Sequence, residues 1–182
     1  MGIIRTLYRE GRSILGMSPP AENDVQRAER VCLELRGSIG GKHHREGSDY
    51  ILETEIGERP AAAAFHGETG AWTLKVGIED RLPRFDLAGD HDPKEGPGRH
   101  YVGSKIYVAN TGHEALWQAL PTGARGAAAQ LLEKSPGELD VDDGILTYVA
   151  TTETMAGRSA RYDAEKQLQT LIKLAVAMEA SW

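Results

Sequence analysis

Cysteine is all but missing from this sequence. Cys32 is the single one in 182 residues, so no disulfide can form within the chain and a reducing compartment suits it. Long apolar runs are missing too, since nothing approaches the ~18 consecutive residues of a membrane span. Arg5, Arg9 and Arg12 interrupt the N-terminus where a secretory signal would carry its apolar core. There is no excess of positive charge: the net charge is -6 and the pI is near 5.5. That balance removes the basic face that phosphate backbones require, and with it nucleic acid as a partner. These absences predict a cytoplasmic protein.

Motifs that would carry catalysis or a cofactor are lacking as well. Gly40-Gly41-Lys42-His43 imitates the end of a phosphate loop, but Arg36 stands where its first glycine belongs and His43 where Ser or Thr would hold magnesium. Gly16-Met17-Ser18-Pro19-Pro20 lacks the closing glycine of a nucleophile elbow. Asp140, Asp142 and Asp143 miss the calcium-loop pattern because Gly144 comes too early. Glu53 and Glu55 share one strand face and read as solvated. His43, His44, His66 and His113 form no recognisable set, with His43-His44 in a polar loop. The densest collection of metal-ligand types is Asp90, His91, Asp92 and Glu95, with His100 just beyond. Its spacing matches no zinc or calcium loop, and the three Gly and two Pro of the stretch Gly89 to Gly98 are those of an exposed loop. No catalytic residue, metal or cofactor is therefore predicted. The chain reads as non-enzymatic, with a metal-dependent enzyme using the 90–100 loop as the alternative.

What is present reads as an α+β fold with an antiparallel sheet packed against helices. Hydrophobic residues make up 40% and charged residues 26%, which suits one globular domain with a core of its own. Its centre is the stretch 138–149. Asp143-Gly144 suits a type I′ turn, because both of its central residues need positive φ. Val141 then faces Leu146, Leu139 faces Tyr148, and Asp140 faces Thr147 on the other side. A slip of one residue would turn the apolar set to water. A lone hairpin is marginal in water, so the apolar helices on either side are expected to cover it.

Asn23 and Gln26 form a capping box for a helix from about Asp24 to Arg36, with Val25, Ala28, Val31, Cys32 and Leu35 as its apolar stripe. Buried there, Cys32 is read as a structural thiol. Period-two alternation predicts strands at 50–56, 61–66, 72–78, 84–88 and 101–109, with Gly103 a point where the last can break, and their close spacing favours a meander. Thr111-x-x-Glu114 opens a short helix containing Leu116, Trp117 and Leu120, and Pro121 separates it from a second running to Lys134. A polar link at 151–159 leads to a long helix at 161–182. Its stripe of Leu168, Leu171, Ile172, Ala175, Met178 and Trp182, widened by Leu174 and Val176, can cover the hairpin and leave apolar surface for a second subunit.

The most suggestive functional feature lies at the N-terminus. Residues 1–17 read as an amphipathic helix, residues 18–22 as a Pro linker, and residues 23–182 as a single α+β domain. Ile3, Ile4, Leu7, Tyr8, Ile14 and Leu15 fall on one helical face and Arg5, Arg9 and Arg12 on the other. Such a segment can pack on its own body, dock on a partner or a second copy, or lie in an anionic membrane interface. Those nine residues are the candidate partner- or membrane-binding set. Met1-Gly2 followed by Thr6 also fits an N-myristoylation pattern.

Without the first helix, the order of elements reduces to α-βββ-α-ββ-α across residues 23–182. In that order and in its acidity the chain resembles the type III secretion chaperones. The resemblance implies a small, acidic, chaperone-like protein that is often a homo-oligomer and binds other polypeptides without catalysis. The strands at 84–88 and 101–109 and the N-terminal helix are additions to that pattern, and no family site maps onto individual residues.

Overall fold

The computed structural model describes residues 22–79, 84–89, 100–102, 106–108, 111–134, 137–150, 155, 157 and 159–180. The N-terminal segment, the 90–98 loop and Trp182 lie outside them. In chain order the elements are α1 (Asp24–Ile39), β1 (Lys42–Glu46), β2 (Asp49–Ile56), β3 (Arg59–Phe65), β4 (Trp72–Gly77), β5 (Phe85–Gly89), β6 (His100–Tyr101) and β7 (Ile106–Val108). Then follow α2 (Thr111–Ala119), α3 (Thr122–Lys134), β8 (Gly137–Asp142), β9 (Ile145–Ala150) and α4 (Ala160–Glu179). The nine strands form one sheet in the order β1-β2-β3-β4-β9-β8-β5-β7-β6, with every pairing antiparallel. The fold is α+β.

The hairpin β8–β9 has the expected register, with Val141 opposite Leu146, Leu139 opposite Tyr148 and Asp140 opposite Thr147. Asp143 and Gly144 both have positive φ, 49° and 73°, as a type I′ turn demands. The strands β1 to β4 form the meander. β5 does not continue it, because the hairpin inserts between β4 and β5 and joins two halves of the sheet that are distant in sequence.

From β2 to β5 one face of the sheet carries the core. Leu52, Ala63, Leu74, Tyr148, Leu139 and Leu87 make a continuous cross-strand row, each fully or almost fully buried. Helix α1 packs over β1, β2 and β3, α4 over β4 and β9, and α3 beside α4 over β8, β5 and β7. Removing such side chains from water is the main favourable term of folding. The capping box is formed, with Gln26 N–H donating to Asn23 Oδ1 at 2.8 Å and Asn23 N–H to Gln26 Oε1 at 3.2 Å. Arg59 and Glu179 form an ion pair that fastens the end of α4 to the start of β3.

Several elements differ from the sequence expectation. His43 and His44 do not lie in a loop but in β1, an edge strand whose five residues are all exposed and which therefore lacks apolar alternation. Its charged composition is how edge strands resist pairing with other chains. The strand expected at 101–109 is two strands, β6 and β7, paired with each other, Tyr101 opposite Tyr107. Helix α1 runs through Gly37 to Ile39, and Gly40, with φ 78°, caps it. The polar link after β9 has an anchor within it: Met155 is fully buried and its N–H donates to Gly70 O at 2.9 Å. Val176 stays half exposed while Leu174 is buried, so the α4 stripe is narrower on that side.

Candidate functional site

The second face of the sheet is the surface that carries a candidate site. Three cross-strand rows run over it. The first passes through Glu53, Ala62, Lys75, Thr147, Asp140 and Asp86; the second through Ile51, Ala64, Thr73, Val149, Glu138 and Ala88; the third through Pro60, Gly77, Ile145 and Asp142. Among the described residues no helix packs across the β2–β9 part of this face, and Ile145 and Val149 are 40% and 37% exposed. A shallow depression of about 390 Å³ lies over Glu53, Pro60, Ala62, Lys75, Gly77 and Ile145. Helix α2 borders the far end, where His113 Nδ1 lies 2.6 Å from Asp86 Oδ1.

The two ends of this face differ in character. From β2 to β9 it is largely small and apolar. On β8 and β5 it is acidic, with Glu138, Asp140, Asp142 and Asp86 close together, and Arg84 Nε 2.6 Å from Asp142 Oδ1. The Asp140 carboxyl is pushed above its ordinary range by burial, then by the neighbouring charges of Asp142 and Asp86, against the opposing pull of Arg84 and His113. A raised value means that the folded state holds this proton more tightly than the unfolded chain does. Its ionisation therefore costs stability as pH rises above the ordinary value, and acidification recovers it. Asp140→Asn is expected to stabilise the protein by about 0.5 kcal/mol at pH 7, the scale of like charges facing across a strand pair. Chemical denaturation at pH 7 and pH 3 checks this: the gain should vanish at the lower pH, and equal gains at both would refute the electrostatic origin.

A polar chain crosses the β2–β4 end of the same face. His66 Nδ1–H donates to Asp49 Oδ2 at 2.8 Å, and His66 Nε2 lies 2.9 Å from Thr73 Oγ1. Gly67 N–H (3.2 Å) and the Ser48 hydroxyl (3.3 Å) both donate to Asp49 Oδ1. Burial alone would raise the Asp49 pKa. The His66 hydrogen bond and charge, with the Gly67 and Ser48 bonds, outweigh it and hold the carboxyl below its ordinary range. Asp49 thus contributes stability above its ordinary pKa that is lost as pH falls through the depressed value. Nε2 accepts from the Thr73 hydroxyl when the ring is neutral with its proton on Nδ1, and donates to it when the ring is charged. Thr73 is the second residue of β4, paired with Ala64 on one side and Val149 on the other, so the chain ties β2, β3 and β4 together at their ends.

The sequence alone shows no set among the histidines. The three residues are far apart in the chain, and only the register that sets Tyr50 opposite Phe65 and Phe65 opposite Trp72 brings them together. The nine N-terminal residues singled out from the sequence lie outside the described residues, as do Asp90, His91, Asp92 and Glu95. Among the described residues no group of three or more His, Cys, Asp or Glu side chains is placed to hold a metal ion. No described helix is long and apolar enough to cross a membrane. Cys32 is fully buried and its thiol is pushed up to about 11 by that burial, against a smaller opposing effect of Arg36, so it is a structural thiol.

The architecture is that of an antiparallel sheet with an inserted central hairpin and most of its described helices on one face, and its fold is similar to that of a protein of known structure. The crystal structure of the mycobacterial trehalose monomycolate transport factor A, TtfA, matches this chain with a TM-score of 0.58 at 10% identity, over 83% of this chain and 93% of that one. At that identity the likeness is one of fold. No protein-family model matches the sequence, and no curated protein does.

Proposed function

We propose that this protein is a non-enzymatic binding module, chaperone-like or adaptor in kind, that engages another polypeptide through the uncovered face of its sheet. Self-association and an N-terminal segment that docks or anchors the module belong to the same reading. The observation that carries it is the row Ile51, Ala64, Thr73 and Val149, with Ile145 beside it, over which no helix packs among the described residues, while the opposite face carries the core from β2 to β5. Apolar side chains in a contiguous patch with a polar rim are the usual form of a protein-docking surface. The shared fold with a transport factor is compatible with such a role.

Val149→Asp tests it. Val149 is 37% exposed but sits in a central strand opposite Glu138, so the substitution is expected to cost about 1–2 kcal/mol, which leaves the chain folded by circular dichroism. A charge at the centre of the patch is nevertheless expected to remove the proteins that the wild-type chain retains from its own cell extract. Retention of the same proteins by both forms would sink the reading. A peripheral membrane adaptor is the second reading, favoured by Arg5, Arg9 and Arg12 beside an apolar stripe in an otherwise acidic chain. In that reading Ile3, Ile4, Leu7 and Leu15 insert, and co-sedimentation with anionic vesicles reports it.

A further inference from the structure

We infer that this protein self-associates edge to edge through β1, which pairs antiparallel with the β1 of a second copy about a two-fold axis at His44. The inference deepens the self-association in the reading above and rests on it, and it is independent of the apolar face of the sheet. It starts from which backbone groups point outward. Glu46 and Asp49 flank the two-residue turn at Gly47-Ser48, where Gly47 has φ 61°. The pair beside such a turn exchanges both of its hydrogen bonds, and the pattern alternates from there. Glu46, His44 and Lys42 therefore direct their backbone groups to Asp49, Ile51 and Glu53 of β2. Those of His43 and Arg45 point away from β2 along the rim of the sheet, where all five residues of β1 are exposed. The opposite edge of the described sheet, β6, has two residues and offers no comparable row.

A second β1 can bond to this rim only through its own His43 and Arg45, which leaves antiparallel registers centred on His43, His44 or Arg45. The register centred on His44 alone pairs all five residues. It sets Lys42 opposite Glu46 of the second copy and Glu46 opposite Lys42 of the second copy, with His44 opposite itself. Centring on Arg45 would oppose two guanidinium groups, and centring on His43 would leave Glu46 without a cation. Arg45 does not crowd His43 of the second copy, because its Nε donates to Gly47 O at 2.7 Å and its guanidinium lies 5.4 Å from the Tyr50 ring centroid. Charged side chains keep unmatched strands off an edge, and here their order is self-complementary and admits one partner. Five residues a side fall well short of the about 20–30 of a standard interface, so the dimer is a weak one that forms at about 100 µM.

Two measurements on the 182-residue chain test this. In the first, mass is followed by light scattering between about 1 and 500 µM. The wild-type mass is expected to rise toward that of a dimer. Lys42→Glu or Glu46→Lys should weaken association about tenfold, since each turns two attractive pairs into repulsive ones. Mixing the two variants should restore it, because the acidic strand of one then faces the basic strand of the other. A wild-type mass that stays at one chain overturns the inference, as does association that both variants retain or that their mixture fails to restore. In the second measurement His44→Cys is oxidised at high protein concentration, with Cys32 silent because it is fully buried. The Cα at position 44 would lie about 4.5 Å from its copy across a non-hydrogen-bonded pair, within disulfide range. His43→Cys faces Arg45 of the second copy instead, and its own copy lies beyond that range. Linked dimer is expected to form about tenfold faster from His44→Cys than from His43→Cys, and equal rates overturn the register. If the β1 contact is undetected while Val149→Asp abolishes partner retention, the binding reading stands and this inference falls. If the β1 contact is present and Val149→Asp leaves retention unchanged, self-association stands and the apolar face loses its partner.

Discussion

Trp72→Ala is expected to destabilise the protein by about 3–5 kcal/mol, a large part of the total stability of a domain this size. Trp72 opens β4 with 1% exposure and meets Phe65 edge-on, ring centroids 6.3 Å apart at 76°. Its indole N–H donates to Gln167 Oε1 of α4 at 2.8 Å. The substitution therefore empties a cavity between sheet and helix and removes both an aromatic pair and the hydrogen bond to Gln167. Trp72→Phe separates these effects, because it keeps the ring contact and loses the hydrogen bond. Its cost should fall nearer 1–2 kcal/mol. Urea unfolding followed by far-ultraviolet circular dichroism gives both values. A Trp72→Ala cost below that of Trp72→Phe would show that the cavity is refilled by relaxation.

Gly137→Ala is the second large effect, and its direction is opposite in kind: too much volume. A Cβ at Gly137 would lie 2.5 Å from Tyr148 Cε2 and 2.6 Å from Val149 O, and the second neighbour is backbone. Tyr148 is fully buried at the centre of the sheet and cannot swing aside without disturbing the core row. Gly89, paired with Gly137 on the neighbouring strand, is equally close to Leu132 O, where helix α3 approaches the sheet. A pair of glycines on adjacent strands marks where tyrosine and helix press on the sheet from the same side. Overpacking of this sort costs about 1–3 kcal/mol. A melting temperature unchanged by Gly137→Ala would mean that β8 and Tyr148 sit further apart than the fold described.

How far the sequence was legible follows from these same elements. The hairpin register could be read because two independent constraints, the Asp143-Gly144 turn and the alternation of Leu139, Val141, Leu146 and Tyr148, allow a single pairing. Strands β2 to β4 and the α1 cap could be read for similar local reasons. β1 could not, because an edge strand needs no apolar side and Lys42 to Glu46 has none. Nor could the order of strands. The pairing of β4 with β9 depends on which buried rows match across the sheet, and no local pattern carries that. The chain from Asp49 through His66 to Thr73 was invisible for the same reason, being a product of register in three strands at once. The open apolar row was written in the sequence only as alternate small residues, whose exposure depends on where the helices settle.

The insertion of β8–β9 between β4 and β5 has a consequence for the order in which the molecule can form. The β1–β4 meander ends at Gly77, and as the chain leaves the ribosome it is complete nearly 70 residues before Ile145, where the strand that must cover its β4 edge begins. Until Ile145 to Ala150 arrives, β4 exposes a row of unpaired backbone groups beside Trp72, Leu74 and Val76. β5 waits in the same way for Gly137 to Asp142. The hairpin thus closes the sheet as a keystone placed late, and pairings of such long sequence separation are slow and prone to capture by other chains in the interval. A nascent chain of this design is itself a client for the kind of protection that chaperones give.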